Sequence, residues 1–316
     1  MKDAPANAVP VALDGSRTTR FEALGVSHAR RRTTRVADYV ALAKPRLNVL
    51  VVATSAAGYY LGSPETPTLW KMAAAVAGTA LVAGGAAALN QVYERDTDAL
   101  MRRTRSRPVA DGRVPVIEAR VFGLALSVMG LGLLAARTNA LATALAVATL
   151  LIYLIVYTPM KRRSSLATLV GAIPGGLPPV IGWSASHGSL SSGGAVLFAI
   201  VFLWQIPHFM AIAWLYRDDY RIAGFPMLPV IDPDGRRAGR QAVLYAGALL
   251  PVSLLPTLIG LSGQSYFVTA AVLGIVLLGL SIRFARCRSD RFARMLFLAS
   301  IIYLPLIWVA MILDKL

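Results

Sequence analysis

The sequence predicts an all-α polytopic membrane protein with nine transmembrane helices, its N-terminus cytoplasmic and its C-terminus outside. Three observations carry that expectation. Hydrophobic residues make up 56% of the 316-residue chain and its mean hydropathy is +0.59, too apolar for a water-soluble globule. Beyond residue 40 the chain holds nine segments, each near the ~20 apolar residues that a bilayer core requires. The basic residues alternate with those segments. Of 32 Lys and Arg, 9 lie in residues 1–46, 7 in 95–120, 3 in 161–163, 5 in 217–240 and 5 in 283–294. With nine spans these five regions share one face, which the positive-inside rule makes cytoplasmic.

The elements follow in order. Residues 1–36 are polar and Arg-rich, and read as a disordered basic cytoplasmic tail ahead of a membrane domain over 37–316. The run Arg30-Arg31-Arg32 reads as a topology anchor, since no short apolar region and cleavage site follow it. The spans are expected at roughly 46–62, 69–93, 117–136, 139–158, 166–186, 193–215, 241–261, 266–283 and 295–313. The fifth contains Gly171-Ala-Ile-Pro174-Gly-Gly-Leu-Pro178-Pro179, so it is not expected to form a regular helix and should border a chamber. Pro207 is expected to kink the sixth. The span interiors hold no Asp or Glu, which counts against an ion or proton pathway. Asp232-Pro-Asp234-Gly reads as a turn.

A net charge of +16 would suggest nucleic acid in a soluble chain. Here the charge tracks the loops, so no nucleic-acid partner is expected and membrane lipid takes that place. Cys287 is the only cysteine, which excludes disulfides within the chain and thiolate metal sites.

Candidate chemistry concentrates at the cytoplasmic ends of three spans. Asn90, Glu94 and Asp98 are spaced by four, so on a helix they form one column of oxygen ligands beside Arg103 and Arg107. Oxygen ligands suit Mg²⁺, and Mg²⁺ with arginine suits a diphosphate. Asp96 points away from that stripe and reads as a loop contact or a partner of Arg103. A second group holds Gln205, His208, Asp218 and Asp219, the last two as candidates for a second Mg²⁺. A third group is Tyr153, Tyr157, Lys161 and Arg162, cations above aromatic rings that could hold phosphate while the rings face a cationic intermediate.

With these residues in place, the chain resembles the protohaem IX farnesyltransferases (haem O synthases) among the UbiA-type intramembrane prenyltransferases, over about residues 36–316. The resemblance rests on Asn90-x-x-x-Glu94-x-Asp96-x-Asp98-x-x-Met101-x-Arg103-Thr104-x-x-Arg107-Pro108 and on Tyr157-Thr158-x-x-Lys161-Arg162. A third block is Trp204-Gln205-x-Pro207-His208-Phe209, continued by Asp219-Tyr220-x-x-Ala223-Gly224-x-Pro226-Met227-Leu228-Pro229.

The resemblance implies a nine-helix bundle in a cell inner membrane with its active site at the cytoplasmic side. It implies that farnesyl diphosphate, haem B and water give haem O and diphosphate. Asn90, Glu94 and Asp98 would hold Mg²⁺, and Asp218 or Asp219 a second ion. Arg103, Arg107, Lys161 and Arg162 would bind phosphate oxygens. For that reaction our own expectation is that His208 faces either the haem iron or a propionate. Haem A synthase or oxidase assembly proteins are the implied partners. Two departures stand out. Relatives with aromatic acceptors carry a second acid pair spaced by four, where this chain has Ile222 and Ala223 after Asp218 and Asp219. Ser164 and Ala167 replace a Thr and an Asn common after the Lys-Arg pair. The competing readings are a prenyltransferase with an aromatic, quinone-precursor acceptor, a transporter of lipid phosphate or haem, and a non-catalytic assembly factor.

Overall fold

Hydrocarbon offers the backbone no hydrogen-bond partners, so long apolar runs close their own bonds as helices. The computed structural model describes residues 34–316 and shows how they pack. In chain order the helices are α1 (Arg35–Leu42), α2 (Pro45–Gly62), α3 (Leu69–Tyr93), α4 (Arg95–Leu100), α5 (Val116–Arg137) and α6 (Ala140–Leu151). Helix α6 continues as a π-helical stretch, Ile152–Tyr157, and a last α-turn, Thr158–Met160. Then come α7 (Ala167–His187), α8 (Ser192–Leu215), α9 (Arg217–Ile222), α10 (Leu228–Ile231), α11 (Arg236–Leu258), α12 (Gln264–Cys287) and α13 (Asp290–Leu313). No strand forms among the described residues; one isolated bridge joins Ser262 to Lys315.

Every expected span is helical. Seven helices are long and apolar enough to cross a membrane, or eight if α1 and α2, bent by 48° at their break, count as one span. Helix α7 is 21 residues long but its Gly and Pro keep its hydropathy below that of the others. Helices α11, α12 and α13 extend past the apolar stretches by about one turn at their arginine-rich ends. Arg236, Arg237, Arg286 and Arg291 carry those turns, because a long basic side chain lays its stem along the helix and keeps its charge in water. Of the expected disordered tail, 1–33 lie outside the described residues, and Arg35 and Val36 already belong to α1.

One expectation is overturned. The fifth span was to be irregular, yet α7 runs unbroken through Pro174, Pro178 and Pro179. Its glycines explain the composition differently. A Cβ on Gly182 would overlap the backbone oxygen of Ser55, and one on Gly58 would overlap that of Pro179, so α2 and α7 meet backbone to backbone. Small residues at such crossings replace the missing hydrophobic drive between helices in lipid. Neighbouring helices resupply the hydrogen bonds that prolines remove or loosen. Gln205 on α8 ties the two helices together, donating through Nε2 to the Ala172 carbonyl at 3.1 Å.

Helices α7 and α8 form the centre. On one side α11, α12 and α13 pack into a core that includes Trp204, Leu249, Phe284 and Leu304. On the other, α2, α3 and α6 stand around an internal space that the core does not fill.

Candidate functional site

The Asn90 column depends on how α3 ends. The helix stops at Tyr93, Glu94 leaves the helical region (φ −93°, ψ 8°), and α4 starts at Arg95. Two backbone bonds preserve the four-residue register across the break: Glu94 N–H donates to the Asn90 carbonyl at 2.9 Å and Asp98 N–H to that of Glu94 at 2.7 Å. All three side chains are buried, with exposures of 1%, 6% and 1% for Asn90, Glu94 and Asp98.

Buried carboxylates need partners, and each here has a cation. Lys161 Nζ donates to Glu94 Oε1 at 2.8 Å. Arg107 donates to both Asp98 oxygens, at 2.8 and 2.7 Å. Lys44 Nζ donates to Asn90 Oδ1 at 3.2 Å, and Asn90 Nδ2 donates to Thr158 Oγ1 at 3.3 Å. The two acids respond differently. Burial pushes the Glu94 carboxyl up, but Lys161, helped by Lys44 and Arg107, holds it below the usual carboxylate value. For Asp98, burial wins over Arg107 and the neighbouring Glu94 charge adds to it, so the group lies above its ordinary value.

The π-helical stretch sets the third group. It carries Tyr153 and Tyr157, whose ring centroids are 5.4 Å apart, and Lys161 Nζ lies 4.5 Å from the Tyr157 centroid. The Tyr153 carbonyl accepts Thr158 Oγ1–H at 2.7 Å, which links this irregular turn to Asn90. Segments of this kind recur at functional sites because they turn side chains off the regular helical stripe.

These residues surround one end of a cavity of about 430 Å³. From the charged end it passes Tyr153 and Tyr157 and meets apolar walls from α2, α3 and α7. It is also lined by Gln205, His208 and Phe209 of α8. Over the charged end, Tyr220, Phe225 and Met227 pack with Met101. Arg103 joins that cover, its guanidinium 4.9 Å from the Tyr216 centroid and bonded to Tyr220 Oη at 3.2 Å.

Several predicted residues lie elsewhere. Asp218 is exposed and paired with Arg221 at 2.8 Å, and neither it nor the half-buried Asp219 lines the cavity. Arg162 is exposed and outside the lining. Asp96 is exposed and makes no ion pair with Arg103. No group of three or more His, Cys, Asp or Glu that could hold a metal occurs among the described residues. Two carboxylates and an amide oxygen still fit Mg²⁺, which commonly takes one or two carboxylates and fills its remaining positions with water and phosphate.

Lys44 is the main residue that sequence reasoning missed. It sits at the break between α1 and α2 with φ 48°, a left-handed conformation rare outside glycine. That backbone brings its ammonium to Asn90 from 46 residues away. The one local signal was a lysine directly before a helix-starting proline, Pro45.

Several known proteins are similar to this chain. A model described as the UbiA prenyltransferase family matches residues 51–304. A protein of Solibacter usitatus named protoheme IX farnesyltransferase is 46% identical over 287 residues, 88% of this chain and 98% of that one. Another of that name, from Koribacter versatilis, is 44% identical over 288 residues, 88% and 93% of the two chains. Among solved structures, one of a digeranylgeranylglyceryl phosphate synthase superposes with a TM-score of 0.75 at 17% identity, over 88% of this chain and 98% of that one. A UbiA homologue from Archaeoglobus fulgidus bound to GPP and Mg²⁺ gives 0.61 at 15% identity, over 87% and 99%. At such identities the structural likenesses speak to the fold.

Proposed function

The chain belongs to the UbiA prenyltransferase family, and from that premise we propose that it transfers a farnesyl group from farnesyl diphosphate to a vinyl group of haem B. Water adds in the same reaction, and haem O and diphosphate leave. The observation that carries this reading is the buried cluster of Asn90, Glu94 and Asp98 with Lys44, Arg107 and Lys161, at one end of a largely apolar cavity. A diphosphate on a greasy chain has the same division. The acceptor is taken from relatives named for protohaem at 44–46% identity.

Asn90, Glu94 and Asp98 would hold Mg²⁺, which when bound would neutralise charge on the leaving diphosphate. Lys44, Arg107 and Lys161 would exchange their present partners for phosphate oxygens, with Arg103 reaching in from the cover. Tyr153 and Tyr157 would face the allylic cation and keep water from it until the vinyl carbon attacks. Gln205 holds α7 against α8 and so shapes the wall. Asp218, Asp219 and Arg162 have no role in this scheme. We place the reaction in a cell inner membrane, within a nine-span domain over 37–316 whose charged end faces the cytoplasm, as the basic loops favour. Haem A synthase or oxidase assembly proteins are the expected recipients of an apolar product.

The test is the purified chain in detergent with haem B, farnesyl diphosphate and Mg²⁺, followed by mass spectrometry. The expected product is haem heavier by one farnesyl and one hydroxyl group, and EDTA should abolish it. Unchanged haem alongside prenylation of an aromatic acceptor would overturn the reading. Lys44→Met should raise the KM for farnesyl diphosphate roughly tenfold while kcat falls less, since one phosphate-facing cation is worth on the order of 1–2 kcal/mol. An unaltered KM would remove Lys44 from the site.

A further inference from the structure

His208 is held in a way that the chemistry above does not use. Its Nδ1 lies 2.8 Å from Ser300 Oγ on α13. Ser300 Oγ in turn donates to the Phe297 carbonyl at 2.7 Å. A hydroxyl has one proton to give. With that proton on Phe297, the contact to His208 must be donated by the imidazole. The ring is therefore the Nδ1–H tautomer, and its lone pair is on Nε2.

The ring cannot easily turn. It stacks on Trp204 (centroids 5.0 Å apart, planes at 22°) and on Phe297 (5.1 Å, 27°). Trp204 is itself fixed by the bond from its Nε1 to the Ser300 carbonyl at 2.7 Å, so one residue anchors both rings. Nδ1 faces α13 and the ring also lines the cavity, so the edge carrying Nε2 is the one turned toward that space. Nε2 has no hydrogen-bond partner among the described residues and is not among the buried atoms left unsatisfied.

We propose that Nε2 of His208 is the axial ligand to the iron of the haem substrate, an assignment that rests on the protohaem reading above. An imidazole that donates one N–H to an oxygen and offers the other nitrogen to a metal is the usual arrangement of ligating histidine. Trp204 and Phe297 occupy the two faces of the imidazole and so hold its plane fixed. No ion pair or hydrogen bond connects His208 to the carboxylates near Asn90. The ligand would thus hold the acceptor by its metal while the diphosphate is gripped separately.

The experiment titrates ferric haem B into the purified full chain without Mg²⁺ or farnesyl diphosphate, and reads absorption and electron paramagnetic resonance. The wild type should show imidazole-ligated iron. His208→Gln, which keeps a hydrogen-bonding side chain near Ser300, should lose that signature and bind haem at least about tenfold more weakly. In His208→Gly, added imidazole should restore the spectrum. An unchanged spectrum in His208→Gln overturns the assignment. So does slowed turnover with an unchanged spectrum, which would mark proton transfer instead. A wild type that farnesylates haem without an imidazole signature removes the ligand and leaves the reaction standing. A wild type that makes no haem product removes the reaction, and the ligand with it.

Discussion

Asp98→Ala is expected to lower turnover by at least about 100-fold, the scale on which loss of a preorganised charge at a reacting phosphate is felt. The change deletes from the Asn90 column a carboxylate that would hold Mg²⁺. It also strands Arg107, which now donates to both Asp98 oxygens at 2.8 and 2.7 Å. Arg107 retains 26% of its side-chain exposure, so it can turn to water, and the stability cost should be smaller than the loss of activity. Asp98→Asn separates the two effects. The amide keeps an oxygen for Arg107 but removes the charge, so folding should survive while the Mg²⁺ requirement rises. The measurement is kcat/KM across a Mg²⁺ series, beside wild type in EDTA. Wild-type turnover in Asp98→Asn with the same Mg²⁺ dependence would take Asp98 out of the chemistry.

Gly182→Val is expected to cost most of the folded protein. Its Cβ would overlap the Ser55 carbonyl oxygen and crowd the Tyr59 nitrogen at 2.8 Å, and both are backbone atoms of α2 that no rotamer change can move. Overpacking against side chains costs about 1–3 kcal/mol. Against backbone, the whole α2–α7 crossing must open, so the cost should sit at or above the top of that range. Net stabilities are about 5–15 kcal/mol. Gly279→Ala is the control, since a Cβ there meets nothing within 4 Å and should hold melting at or slightly above that of the wild type. Thermal melting and monodispersity in detergent read both variants. A Gly182→Val protein that melts with wild type would mean that α2 and α7 separate without penalty.

The sequence was most legible where periodicity and composition carry the physics. Apolar length located each long helix, and the spacing of Asn90, Glu94 and Asp98 survived even a helix break, because the backbone bonds at Glu94 and Asp98 keep the register. It was misleading where composition had two meanings. The Gly and Pro of α7 suggested broken backbone, but they serve a crossing too tight for side chains. Pairings between distant residues were out of reach. Nothing local in Lys44 indicates Asn90, or in His208 indicates Ser300, 92 residues on. Position at the cytoplasmic end of a span also made Asp218 resemble Asp98, although one faces Arg221 on the surface and the other is 1% exposed.

The salt bridges of Glu94 and Asp98 bear on which anions can reach Lys161 and Arg107. Lys161 and Arg107 are already neutralised by carboxylates at 2.8 and 2.7 Å, so a stray phosphate must break an ion pair to enter. Mg²⁺ alone faces the mirror difficulty, because its oxygens are held by cations. Arriving together, the two would satisfy every group that either displaces, and each would strengthen the other's binding by the same factor. On the proposed function, the cluster would thus discriminate against abundant small anions and admit a diphosphate only in company with its metal.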